Sequence, residues 1–76
     1  MYSLGADARE VRKQLKLGQK YIEEMNYEEA IASFEKALEI DPMSVEAYIG
    51  IADAHIAIAL DYEATGDLVS AKEELE

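Results

Sequence analysis

Small and large residues recur at fixed helical intervals over residues 11–44, and this spacing limits the fold more than any other feature of the chain. Leu17 and Gly18 are followed by Tyr21, Ala30 is followed by Phe34, and Ala37 lies three residues further on. Steps of three and four keep residues on one side of an α-helix. Gly18 and Ala30 are small enough to let two helices approach closely, while Tyr21 and Phe34 fill the gaps beside them. The pattern asks for two antiparallel helices joined by a short turn.

Local signals set expected boundaries. Asp7 suits an N-cap, with Glu10 three residues on to complete a capping box, so the first helix is expected over 8–24. Val11, Leu15, Gly18, Ile22 and Met25 recur along it, and Asn26 suits the turn that follows. A second helix is expected over 27–40. Glu28 and Glu29 in its first turn complement the helix dipole, and Ala30, Ile31, Phe34, Ala37, Leu38 and Ile40 form its apolar face. Asp41-Pro42 stops it, because a residue before proline is pushed out of the α region. Ser44 then caps a third helix over 44–65, interrupted only by the weak breaker Gly50 and ~32 Å long at 1.5 Å per residue. Thr65-Gly66-Asp67 forms the next turn cluster, and Asp67 caps a fourth helix over 68–76 with Leu68, Ala71 and Leu75 as its apolar positions. Residues 1–6 carry no periodic pattern and read as a disordered lead-in or an expression remnant. The expected fold is all-α, with about four helices in one domain over 7–76.

Composition removes whole classes of function. A chain of 76 residues buries only ~60% of the surface its unfolded form exposes, so its core is marginal. There is no cysteine, and the single His55 cannot build a metal site alone. With 17 acidic against 7 basic residues the net charge is −10, which disfavours nucleic acid. The central apolar run, Ile56 to Leu60, is five residues, far below the ~20 of a membrane span. No basic-then-apolar leader pattern opens the chain, and a cytoplasmic location fits. The serines lack a nucleophile-elbow context, and the adjacent carboxylates Glu28-Glu29 and Glu73-Glu74 read as solubilising. The expectation is no enzyme, no cofactor and no metal, with His55 a packing residue.

Gln14-x₂-Leu17-Gly18-x₂-Tyr21, then Ala30-x₃-Phe34, Ala37 and Pro42, resembles the signature of the tetratricopeptide-repeat (TPR) family over residues 11–44. Only Gln14, where the family has tryptophan, departs from it. A second, degenerate repeat is expected over 45–76, in one of two registers. Counting 34 residues on places Tyr48, Ile51, Ala52, His55, Ala64, Leu68 and Ala71 at the signature positions. Aligning the turn at Gly66-Asp67 instead makes Ala71 the equivalent of Ala30 and puts seven extra residues into the third helix; the turn chemistry favours this register.

The resemblance implies a protein–protein interaction module that binds a peptide or partner helix through the groove lined by the first helix of each repeat. It points to Arg12, Leu15, Lys16, Gln19 and Ile22 on helix one, and to Glu46, Ile49, Asp53 and Ile56 on helix three. Relatives that clamp a C-terminal carboxylate use a Lys and an Asn one turn apart; Leu15 and Gln19 stand there, so that clamp is absent. Five of the seven basic residues, Arg9, Arg12, Lys13, Lys16 and Lys20, lie on helix one, as a receptor for an acidic peptide or as a solvated face. Helix three is apolar around much of its circumference, as a buried helix is. Two repeats cannot cover it alone. This points either to a homo-oligomer, with Tyr48, Ile51, Ile58, Leu60, Leu68 and Leu75 at the contact and the C-terminal helix open to exchange, or to a fragment of a longer repeat array. The alternative function is therefore a self-associating unit with no external ligand.

Overall fold

The computed structural model describes residues 4–64, as three helices: α1 (Leu4–Glu23), α2 (Tyr27–Ile40) and α3 (Val45–Ala64). No strand occurs among the described residues. The expected fourth helix over 68–76 lies outside them, as do Leu68 and Leu75.

α1 begins four residues before its expected start, at Leu4 rather than residue 8. Gly5, a poor helix former, does not stop the helix, and residues 4–6, expected in the lead-in, belong to its first turn. Asp7 consequently sits inside that turn rather than capping it, and its carboxylate still complements the positive helix end.

α1 ends in a Schellman motif. Met25 N–H donates to the Ile22 carbonyl at 3.0 Å, and Asn26 N–H reaches back to the Tyr21 carbonyl at 2.8 Å. Closing these bonds puts Met25 at φ 64°, the left-handed region usually given to glycine. Met25 thereby leaves the packed face on which its spacing had placed it and stands 71% exposed.

α2 occupies the expected residues. Its C-cap, Asp41, is extended ahead of Pro42, and Asp41 Oδ1 accepts from Met43 N–H at 3.1 Å across the turn. Ser44 caps α3 as expected, with Oγ accepting from Ala47 N–H at 3.4 Å. The Tyr48 hydroxyl donates to the Pro42 carbonyl at 3.1 Å, tying the second turn of α3 back to the loop. α3 stays helical to Ala64, straight through Ala59 and Leu60. Those two lie 34 residues after the Met25-Asn26 turn, so the simple repeat register would need a turn where the chain makes none.

α2 packs against both other helices and carries the core: Ala30, Phe34 and Ala37 are fully buried with Ala47 of α3. Phe34 is the one large side chain fully buried among the described residues. Its ring lies between two glycine backbones. A Cβ built on Gly18 of α1 would come 2.6 Å from Phe34 Cζ, and one on Gly50 of α3 would come 2.4 Å from it. Gly50, expected as a weak helix breaker, is a packing position. Val11, Leu15, Tyr21, Ile22, Leu38 and Ile51 close over this centre.

Candidate binding groove

α1 and α3 both lean on α2, and a groove opens between them. Two adjoining hollows define it. The larger, about 610 Å³, lies between the start of α1 and the α2–α3 loop, with Val11, Arg12, Leu15, Pro42, Val45 and Glu46 in its walls. The smaller, about 250 Å³, is lined by Leu15, Lys16, Gln19 and Lys20 of α1 and Glu46 of α3, with Phe34 among its lining residues. Arg12, Leu15, Lys16, Gln19 and Glu46 are thus brought together. Leu15 is half-buried against the core, which leaves the exposed Arg12, Lys16, Gln19 and Glu46 to make polar contact.

The remaining groove candidates divide. Ile22 turns inward and packs on the core. Asp53 is exposed, and Ile49 and Ile56 are 55% and 57% exposed further along α3, beyond both hollows. The residues expected for self-association divide as well. Tyr48 and Leu60 are exposed at 55% and 58%, but Ile51 packs against the core and Ile58 is half-buried, facing the Met25–Glu29 turn. The physical reason is rotation: α3 turns Ala47, Gly50 and Ala54 to its neighbours, and Ile51 and Ile58 flank that inner face. His55, expected as a packing residue, is exposed.

Opposite the packed face of α1, Arg9, Arg12, Lys13, Lys16 and Lys20 surround Leu17 along a shallow hollow. None of the five forms an ion pair among the described residues. Groups of three or more His, Cys, Asp or Glu able to hold a metal are absent from those residues, and no helix among them is long and apolar enough to cross a membrane.

The family profile described as "TPR repeat" matches residues 18–61, more than half of the chain. The chain belongs to the tetratricopeptide-repeat family. No curated protein and no solved structure matches it. The matched region runs from Gly18 through all of α2 and nearly all of α3, so it covers both glycines that hold Phe34. TPR units mediate protein–protein interaction and are typically not catalytic.

Proposed function

We propose that this TPR chain captures a segment of another polypeptide in the groove between α1 and α3. The observation that carries the reading is the hollow where Lys16 and Gln19 face Glu46, with Phe34 and the half-buried Leu15 supplying apolar surface between them. A cation on one wall and a carboxylate on the other suit a peptide that presents both an acidic and a basic side chain, with an apolar residue against Leu15. The exposed wall residues have no other partner among the described residues. A cytoplasmic setting is part of the proposal.

The test is a peptide array probed with the wild-type chain, followed by Lys16→Glu and Glu46→Lys. Both residues are exposed, so the fold tolerates the change. Each charge reversal should weaken the best hits by tenfold or more, about 1.4 kcal/mol. Lys13→Glu, on the outer side of α1, should leave them within about twofold. Binding that survives both groove reversals would refute the groove. A second reading, a self-associating unit with no ligand, is favoured by the exposed apolar residues of α3.

A further inference from the structure

Five of the chain's seven basic residues, Arg9, Arg12, Lys13, Lys16 and Lys20, stand on one side of α1. All five are exposed, and none forms an ion pair among the described residues. At about 100° per residue, they and Leu17 fall within an arc of roughly 140°. That arc lies opposite Val11, Gly18 and Ile22, which pack on the core. The shallow hollow they enclose, about 450 Å³, is lined by these six residues and by no carboxylate.

This concentration is unfavourable for the free helix. Arg9–Arg12, Arg9–Lys13, Arg12–Lys16, Lys13–Lys16 and Lys16–Lys20 are like-charge pairs three or four residues apart, and each weakens a helix slightly. The chain has 17 carboxylates, yet none is interleaved here. An anion laid along the stripe relieves every one of these repulsions.

We propose that the outer face of α1 is a second docking surface, and that its occupant is an acidic segment of another polypeptide with one apolar side chain for Leu17. Charge, extent and Leu17 select that occupant together. From Arg9 to Lys20 the stripe runs about 17 Å, the length of about five extended residues or three helical turns. Beyond Lys20 the sign reverses at Glu23 and Glu24, both exposed. A nucleic-acid duplex or an anionic membrane continues past that point and meets them, on a chain whose net charge is −10. A short acidic segment ends with the stripe. Leu17, half-buried among the cations, offers an apolar contact that a phosphate backbone has no group to fill. A peptide supplies one three or four residues from its carboxylates. Arg9 and Lys13 line this hollow alone, whereas Arg12, Lys16 and Lys20 also stand in the walls of the groove. The two faces are therefore separable by mutation, and each stands without the other.

The experiment is fluorescence anisotropy of a labelled synthetic peptide of Glu and Ala around one central Leu, titrated with the full chain. The wild type should bind it with a dissociation constant below about 1 mM at about 20 mM salt, and at least threefold more weakly at about 150 mM. The double variant Arg9→Glu, Lys13→Glu should lose tenfold or more. Both positions are exposed and glutamate is a good helix former, so its circular dichroism should match the wild type. Lys36→Glu, a reversal on the exposed side of α2, should bind within about twofold of wild type and so removes overall charge as the cause. A wild type that leaves the probe free, or a double variant within twofold of it, overturns the proposal. So does tighter binding of a DNA duplex or of phosphatidylserine vesicles that the same double reversal abolishes, which would make this a phosphate site. A wild type that sediments above 8.5 kDa and returns to one chain in the double variant also overturns it, and gives the face to a second copy.

Discussion

A methyl group added at Gly50 would lie 2.4 Å from Phe34 Cζ, inside any real carbon–carbon contact. The ring cannot slide away, because Gly18 holds its other side just as closely. Alanine in place of a helical glycine ordinarily adds about 1 kcal/mol of stability. Forcing a methyl into a filled core costs about 1–3 kcal/mol, and here the second effect wins. Gly50→Ala should therefore destabilise the chain by about 1 kcal/mol or more in urea unfolding followed by circular dichroism. Trimming the ring in the double variant Gly50→Ala, Phe34→Leu should cost less than the sum of the two single changes, since they share one space. An alanine variant more stable than wild type would show that the ring has room. The sequence carried half of this feature. Gly18, Ala30 and Phe34 announce a close approach by spacing alone, because they lie on the first helical pair. Gly50 looks like a weak breaker, because its role depends on how α3 is rotated over Phe34, and that is set by packing. Gln14, at the family's tryptophan position, is a similar case. Its Nε2 donates to Glu10 at 2.8 Å while Oε1 is buried without a partner.

At the scale of elements, the three described helices and the place of the turn at Asn26 were legible, and the way that turn closes was not. Proline chemistry at Asp41-Pro42 and the Ser44 cap fix the second joint through local bonds, so residue type alone reveals them. The first joint is closed by backbone bonds that any residue can make, and the chain puts methionine where glycine is usual. Holding an L-residue in the left-handed region costs about 1–2 kcal/mol, partly offset by the extra freedom glycine has when unfolded. Met25 is well exposed, so little packing is lost with its side chain. Met25→Gly should raise stability by about 0.5–1 kcal/mol, read as a higher urea midpoint with unchanged slope. A lower midpoint would mean that the methionine side chain contributes contacts that outweigh the strain. The same reasoning explains the early start of α1. A cap signal such as Asp7 marks where a helix is able to begin, and a single glycine upstream, Gly5, is too weak a breaker to stop the backbone continuing past it.

For the whole molecule, the decisive quantity is how little the three helices bury. One large side chain, Phe34, is fully buried, and the other fully buried apolar residues described are alanines. Such a core is thin for a chain that must offset the entropy of ordering each residue by about 1–2 kcal/mol. Self-association through the exposed residues of α3, the second reading of function, would take Ile49 and Ile56 out of water and make stability depend on how much protein is present. Two chains that unfold from one dimer gain about 1.4 kcal/mol per tenfold rise in concentration, shared between them. For a domain of this size that corresponds to about 3–5 °C in the thermal midpoint per tenfold. Under that reading the wild-type midpoint climbs by that amount between dilute and concentrated samples, and Ala52→Lys, a charge on the exposed face of α3, gives a midpoint that does not move. A flat wild-type curve would sink the self-association reading, and would mean that the core around Phe34 holds the fold without a second copy.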